Sequence, residues 1–357
     1  MRSTLILACV LLVIVALVLC GCPPKPSSTE TPTPPTAAKL APSALVTGPS
    51  ASQASEVVTN PKPTTKKDLT IGIAMTWGHP YWQNMITGIK DEAKAQEQKR
   101  GVKITLSFNN CEEDAAKQIA QCETLVSQGV DAVVMVPVQK EASVRGIWLL
   151  NDASIPIVLD NRSIEDKTGK AKWVCYTGTD TYDGAKVSAE LLMKAIGGEG
   201  AIVELQQVLG SDPQIARSKA LEDVLKDYPK VKLIAQQPFG ADESKAVSIM
   251  EDLLKAHPEI KGVYPHGDNA ATFALKACEA AGRKDIKIVG MGGNKDALAA
   301  IKAGRMVGTS YQQPYEEGRM GLRYALAYLF GEQVKKYSPT PVLPVTRENC
   351  DKFKAQF

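Results

Sequence analysis

Two adjacent aromatic residues, Tyr81 and Trp82, stand where a short apolar run ends and a helical pattern begins. The run Leu69–Met75 has the composition of a buried strand, and apolar residues recur at spacings of three and four after Pro80. In open α/β sheets, ligands bind beyond the carboxyl ends of the strands. The position therefore predicts that the two rings form one wall of a small-molecule cleft; packing inside the core is the alternative.

No other pattern predicts catalysis or metal binding. The GMGG run at Gly290–Gly293 resembles part of a dinucleotide-binding loop, but the third glycine at the required spacing is missing. The sequence contains no GxSxG elbow, HExxH pair or GxxxxGK[ST] loop. The only histidines, His79, His257 and His266, have no metal-ligand spacing. We therefore predict a binding protein that is not an enzyme and has no metal and no cofactor.

The length, composition and net charge of the chain limit its domain organisation and its possible partners. The chain has 357 residues, which is long enough for two domains. Its hydrophobic content of 44% and charged content of 23% are ordinary for a globular protein. The net charge is only +3, and Lys and Arg are scattered along the chain, so we expect no nucleic-acid partner.

The N-terminus has the pattern of an export signal. Residues 1–21 contain Arg2 followed by an uncharged apolar run, which predicts a secretory signal peptide. The end of this run, Leu19-Cys20-Gly21-Cys22, resembles the lipobox of bacterial lipoproteins, in which a small residue precedes the lipidated Cys. We therefore predict lipidation at Cys22 and a protein of the cell envelope, lipid-anchored to a membrane and facing the periplasm or cell exterior. A plain signal peptide and an uncleaved anchor are the alternatives.

Residues 22–67 are rich in Pro, Ser and Thr and contain no aromatic residue, which predicts a disordered spacer before a folded body that starts near Asp68. In that body, Cys111 and Cys122 are the only cysteines close in sequence. Export permits a disulfide between them, whereas the helical pattern around Cys122 favours a buried thiol. The sequence leaves this pairing open.

The elements that must position the aromatic pair follow a regular order. Strand patterns, the first at Leu69–Met75 and the last at Met306–Thr309, alternate with helical patterns. This alternation predicts parallel sheets with helices on both faces. The strand patterns outnumber what one such sheet usually holds, so we expect an α/β protein of two lobes.

The stretches LTIGIAMTWGHPYW, LVSQGVDAVVMVPV, IPIVLDNR, GVYPHGDNAATFALKACEAAG and IKIVGMGGNKDALAAIKAG occur in this order. From Leu69 to Phe357 the chain resembles the periplasmic sugar-binding proteins of the ribose- and galactose-binding type. The resemblance implies the type I solute-binding fold, with two similar Rossmann-like lobes, a three-crossing hinge and a ligand cleft between them. The first lobe would comprise 68–179 and 313–340, and the second 180–312 and 341–357.

The resemblance also implies which residues contact the ligand. Aromatic rings suit the apolar C–H faces of a sugar, while carboxylates and guanidinium groups suit its hydroxyls. Some positions carry unusual residues, since His79 falls where ribose binders have Asn, and Asn161 where Arg is usual. The implied ligand-binding residues are His79, Tyr81, Trp82, Asp160, Asn161, Arg217, His266, Asp268 and Gln312.

Four positions depart from the family pattern. Val136, Gly267 and Gly292 replace polar residues, and Ala241 replaces an aromatic residue. Each unmatched buried polar group costs about 1–3 kcal/mol, so these changes should weaken binding of a bare pentose. We therefore expect a ligand larger or less hydroxylated than ribose, with His266 supplying contacts that Gly267 cannot.

The resemblance implies a membrane-tethered solute-binding lipoprotein. It would capture a small ligand, a sugar or sugar-like compound, by lobe closure and deliver it to an ABC permease with its ATPase. We expect it to act as a monomer. Two alternatives remain: a lipoprotein that presents its closed form to a membrane receptor, and a binder of a non-sugar ligand such as a nucleoside. A lactose-repressor-type regulator is excluded, because the leader stands where such proteins have their helix-turn-helix.

Overall fold

The computed structural model describes residues 56–357. The predicted signal peptide 1–21, the predicted lipidation site Cys22 and the predicted spacer as far as residue 55 lie outside the described residues. Within the described part, no helix is both long and apolar enough to cross a membrane.

Strands and helices alternate along most of this part of the chain. The strands are β1 (Val57–Val58), β2 (Asp68–Met75), β3 (Lys103–Asn110), β4 (Ala132–Met135), β5 (Ile157–Asp160), β6 (Cys175–Thr179), β7 (Gly200–Gln207), β8 (Val231–Gly240), β9 (Ile260–Pro265), β10 (Lys287–Gly292), β11 (Gly308–Tyr311), β12 (Val334–Lys335), β13 (Tyr337–Thr340) and β14 (Leu343–Thr346). The helices are α1 (Pro80–Arg100), α2 (Ala115–Gln128), α3 (Ser143–Asp152), α4 (Thr181–Ala195), α5 (Asp212–Leu225), α6 (Ala246–Ala256), α7 (Asp268–Ala280), α8 (Lys295–Lys302) and α9 (Pro314–Leu329).

The first lobe contains a parallel six-stranded sheet in the order β13-β6-β5-β4-β2-β3. Helices α1 and α9 pack on one face of this sheet through an apolar cluster that includes Met85 and Leu322. Helices α2 and α3 pack on the other face through a cluster that includes Leu125 and Leu150. Apolar burial on both faces is typical of parallel sheets.

The second lobe contains a second six-stranded sheet in the order β14-β11-β10-β9-β7-β8. All neighbours in this sheet are parallel except β14, which pairs antiparallel with β11. Apolar clusters again cover both faces, one with helices α6, α7 and α8 and the other with α4 and α5.

Three connections join the lobes. The chain passes from β6 to α4, returns from β11 to α9, and passes again from β13 to β14. The prediction of an α/β fold with two parallel-sheet lobes and a three-crossing hinge is therefore confirmed.

The chain is already paired before the predicted start of the folded body at Asp68. Strand β1 pairs antiparallel with β12, and the Thr64 N–H donates to the Leu329 oxygen at 2.8 Å. Val57 is 50% exposed, so main-chain hydrogen bonds rather than apolar burial hold this segment. A prediction made from composition detects apolar burial, and for that reason it placed the boundary too late.

The thiols of the described cysteines are all free and buried, including Cys111 and Cys122. Burial raises the pKa of Cys111 to about 11 and that of Cys122 to about 12. These cysteines therefore serve as small apolar side chains in the core.

Candidate functional site

A cavity of about 280 Å³ lies between the two lobes, at the carboxyl ends of their parallel strands. Both lobes and the hinge supply its walls. The lining residues are His79, Tyr81, Trp82, Asn161, Arg162, Thr181, Gln207, Asp212, Pro213, Arg217, Glu243, His266, Gly267, Asp268, Asn269, Met291, Asn294, Gln312 and Phe357.

The first-lobe wall is formed at the start of α1. The chain leaves β2, and the Nδ1 atom of His79 accepts a hydrogen bond from the Tyr81 N–H at 3.1 Å, which caps the helix. Pro80 occupies the first turn, where a missing N–H costs nothing. The rings of Tyr81 and Trp82 then meet edge to face, with centroids 4.9 Å apart. The cap thus holds the aromatic pair at the cavity.

The hydroxyl of Tyr81 is used inside the protein. It donates to Glu317 Oε2 at 2.6 Å, and Asn161 Nδ2 donates to the Tyr81 oxygen at 2.8 Å and to the same Glu317 oxygen at 2.9 Å. Burial raises the pKa of Glu317, although these donors and Thr179 partly offset the shift. Burial and the adjacent Glu317 carboxyl also raise the pKa of Tyr81. Tyr81 therefore offers the cavity its ring rather than its hydroxyl.

Arg162 covers one side of the Trp82 ring. Its guanidinium carbon lies 5.1 Å from the ring centroid. Two of its nitrogens donate to Glu113, at 2.8 and 3.1 Å. This bidentate pair fixes the guanidinium against the ring, in the geometry of a cation–π contact.

Asp160 is the one predicted site residue that does not line the cavity, which corrects the expectation from the resemblance. Its side chain is fully buried, and a Cβ atom added to Gly321 of α9 would stand 2.5 Å from Asp160 Oδ2. Neither carboxylate oxygen has a hydrogen-bond partner among the described residues. Burial, and next the negative charge of Glu317, raise the pKa of Asp160. The carboxyl therefore faces α9, and Asn161 faces the cavity in its place.

The second-lobe wall carries an unpaired cation. Arg217, on α5, donates through one nitrogen to the Gln207 side-chain oxygen at 3.2 Å and to the His266 main-chain oxygen at 3.0 Å. Both acceptors are neutral, and no carboxylate of the described residues lies within ion-pair distance of it. Burial lowers the pKa of Arg217, but a guanidinium stays protonated at neutral pH. Its remaining N–H groups are available to a ligand.

His266 is held by a buried carboxylate. Its Nε2 atom lies 2.8 Å from Glu204 Oε1, while its Nδ1 atom is buried without a partner among the described residues. Burial lowers the pKa of His266 despite the nearby carboxylate. Burial alone would raise the pKa of Glu204, but hydrogen bonds from His266, Gln236 and Ser218 outweigh it and leave that pKa below its usual value. A neutral ring that donates from Nε2 to Glu204 has an acceptor at Nδ1.

Asp268 organises its own lobe. Its Oδ2 atom accepts from the main-chain N–H groups of Gly293 and Asn294, the latter at 2.7 Å, and its Oδ1 atom accepts from the Thr309 hydroxyl at 2.8 Å. Burial nevertheless raises its pKa. Most of its hydrogen-bonding capacity is therefore used to fix the loop after β10. Gln312, also predicted, lines the cavity at the second hinge crossing.

The lining includes residues that the sequence did not single out. Gln207 ends β7 and could have been found from its place at a strand end, and its Nε2 atom is buried without a partner among the described residues. Phe357 reaches the cavity from a segment without a helical or strand pattern, so no sequence signal marked it. Around the cavity, as elsewhere in the part of the chain that the structure describes, no cluster of His, Cys, Asp or Glu could hold a metal ion.

Comparisons with known proteins agree with this architecture. Residues 72–333 match the family described as periplasmic binding protein domain. The ribose import binding protein RbsB of Bacillus subtilis is 32% identical over 278 residues, which cover 78% of this chain and 87% of that protein. A xylitol-binding protein of Mycolicibacterium smegmatis is 34% identical over 252 residues, 70% of each chain.

Among solved structures, a solute-binding protein of an ABC transporter from Bacillus halodurans, with bound myo-inositol, superposes with a TM-score of 0.72. It is 26% identical in sequence, and the match covers 82% of this chain and 100% of that one.

Proposed function

The chain belongs to the periplasmic binding protein family, and we propose that it binds a sugar or polyol in the cavity between its two lobes. Membership of this family makes it a binding protein rather than an enzyme, as the sequence predicted.

The polar groups left without partners carry this proposal. Arg217 has free N–H donors, and the buried Gln207 Nε2 and His266 Nδ1 atoms lack partners among the described residues. A buried polar group without a partner costs about 1–3 kcal/mol, so those that line the cavity are expected to meet a ligand. Gln207 and Arg217 donate and His266 accepts, and a hydroxyl can serve all three because it both donates and accepts.

The size and the aromatic wall support the same class of ligand. A cavity of about 280 Å³ is smaller than most sites for drug-sized compounds, and the rings of Tyr81 and Trp82 offer flat apolar surface. Two relatives are named for ribose and xylitol, and the similar solved structure contains myo-inositol. All three are small compounds with many hydroxyls. The other residues predicted from the resemblance, His79, Asn161, Asp268 and Gln312, border the same cavity and are proposed as supporting contacts.

Delivery to an ABC permease is the second part of the proposal. Lys140 Nζ in the first lobe and Asp212 Oδ1 in the second are 2.6 Å apart across the cleft. This ion pair exists only when the lobes are together, so it belongs to a closed form that a permease could distinguish from an open one. The name of the ribose import relative and the ABC transporter origin of the similar structure support transport as the role.

We further propose that a lipid on Cys22 tethers the protein to the membrane, on the pattern Leu19-Cys20-Gly21-Cys22. The full chain should fractionate with membranes when it is expressed with its leader in a bacterium. Cys22→Ala should release it to the soluble fraction, whereas Cys20→Ala serves as the matched control and should remain membrane-bound. Equal fractionation of the two variants would contradict lipidation at Cys22.

Isothermal calorimetry of the full chain tests ligand binding directly. The probes are xylitol, D-ribose, myo-inositol and, as a non-sugar comparison, a nucleobase. We expect at least one hydroxylated probe to bind and Arg217→Ala to weaken it about 10–100-fold, since hydrogen bonds from a charged group contribute about 1.5–3 kcal/mol. The exposed Arg145 offers a control, and Arg145→Ala should bind like wild type. Binding of the nucleobase alone would overturn the proposal.

A further inference from the structure

The segment 353–357 reaches the mouth of the cleft and contacts both lobes. On the second lobe, Gln356 Nε2 donates to the Tyr311 hydroxyl oxygen at 2.7 Å, and the Lys295 N–H donates to the Phe357 main-chain oxygen at 3.1 Å. On the first lobe, Asn84 Nδ2 donates to the Gln356 main-chain oxygen at 2.7 Å. The position of the segment therefore depends on both lobes at once.

The ring of Phe357 packs against the first-lobe aromatic wall. Its centroid lies 5.4 Å from that of Tyr81 and 6.0 Å from that of His79, both in edge-to-face arrangements. The ring also borders the cavity. A residue from the second-lobe tail thus extends an aromatic surface that begins in the first lobe.

The space for this ring comes from Gly292. A Cβ atom at Gly292 would stand 3.2 Å from Phe357 Cζ, and the backbone φ of Gly292 is +145°. Both the close approach and the conformation favour glycine over any residue with a side chain. Phe357 therefore occupies the space beside Gly292 that a side chain at this position would take.

We propose that Phe357 is a specificity-determining residue that contributes a third aromatic ring to the ligand site. The inference rests on the proposed function. The ring closes the side of the cavity that Gly292 leaves open and so limits the length of the ligand, while its face offers apolar surface to C–H groups. Because the segment contacts both lobes, the ring completes the site only when the lobes are together.

Calorimetry with xylitol and myo-inositol as probes tests this role of the ring on the full chain. Phe357→Ala should raise the Kd for the smaller probe, xylitol, about tenfold and that for myo-inositol less, so that the ratio of the two affinities shifts. Phe357→Tyr keeps the ring and should restore the ratio. Phe330→Ala removes an aromatic ring that stacks on Arg100 in the first lobe, away from the cleft, and should leave both values unchanged. Wild-type affinities in Phe357→Ala for both probes would overturn the proposal while the proposed function stands.

If neither probe binds, calorimetry contradicts the proposed function and cannot test the contact between Phe357 and a ligand. A second measurement therefore tests the position of the Phe357 ring without a ligand. The full chain is labelled with 4-fluorophenylalanine, and the ¹⁹F signal of Phe357 is assigned by its absence in Phe357→Ala. Tyr81→Leu should shift this signal, because it removes the ring that packs against Phe357, and should leave the Phe330 signal in place. An unmoved Phe357 signal would overturn the placement of the ring whatever the probes do.

Discussion

Replacing Glu204 by glutamine should destabilise the second lobe strongly, although the two side chains have nearly the same shape. The carboxylate is fully buried. Its oxygens receive hydrogen bonds from His266 at 2.8 Å, Ser218 at 2.7 Å and Gln236 at 2.6 Å. An amide has a single acceptor oxygen and no charge, so at least one of these donors would lose its carboxylate acceptor and face an NH₂ group.

The expected loss follows from the same geometry. Hydrogen bonds to a charged group contribute about 1.5–3 kcal/mol, and an unsatisfied buried donor costs about 1–3 kcal/mol. The free energy of unfolding should therefore fall by about 3 kcal/mol in Glu204→Gln. Urea denaturation at pH 7, followed by circular dichroism, measures this difference.

The control is Glu251→Gln, an exposed glutamate of α6, which should change the free energy of unfolding by less than about 0.5 kcal/mol. If Glu204→Gln unfolded at the same urea concentration as this control, the hydrogen-bond network around Glu204 would be refuted. The ligand affinity should fall as well, because the amide can accept or donate and no longer dictates which nitrogen of His266 carries the proton.

Two further predictions concern protonation. Xylitol affinity, measured by calorimetry, should stay constant from pH 8 to about 6.5 and decrease at lower pH. Burial holds the pKa of His266 beneath its usual 6.5, and protonation removes the Nδ1 acceptor. A loss of affinity already between pH 8 and 7 would contradict this. Asp160→Asn should leave that affinity unchanged and should stabilise the protein more at pH 8 than at pH 5. Burial and Glu317 raise the pKa of Asp160, so the carboxyl group holds its proton more tightly in the native wild type than in the unfolded chain. The wild type therefore loses stability as the pH rises, whereas an asparagine at this position has no such proton to lose. Urea denaturation of both proteins at pH 5 and pH 8 measures whether the stabilisation by Asp160→Asn is larger at pH 8.

The residues at the strand ends show which parts of the site could be predicted from the sequence. Tyr81 and Trp82 lie at the cavity because a strand stops and a helix starts there, which hydrophobic periodicity reveals. Arg217 lies inside α5, and only the family resemblance implied its place at the cavity. Side-chain alternation could have corrected the position of Asp160. It lies two residues after Val158, which packs in the cluster shared with α9, so its side chain points the same way.

Other parts of the site depend on contacts that no local pattern contains. Asn161 lines the cavity and follows β5 with a left-handed backbone φ of +62°, a conformation that no pattern of side chains announced. The ring of Phe357 packs beside Gly292 of the second lobe and against Tyr81 of the first lobe. Strand β1 is held by main-chain pairing with β12, which the composition of the segment does not reveal.

The charges around the cavity favour a neutral, hydroxylated ligand over an ionic one. Arg162 is paired with Glu113, and Asp212 with Lys140, so neither pair leaves a free charge for a ligand. Arg217 has no ion-pair partner among the described residues. The carboxylates of Glu243 and Asp268 are near enough to act on its pKa, and their negative charge opposes a ligand carboxylate in the same space. A hydroxylated ligand escapes this repulsion and still accepts hydrogen bonds from the guanidinium. The electrostatics and the unpaired polar groups therefore lead, by separate arguments, to the same class of ligand.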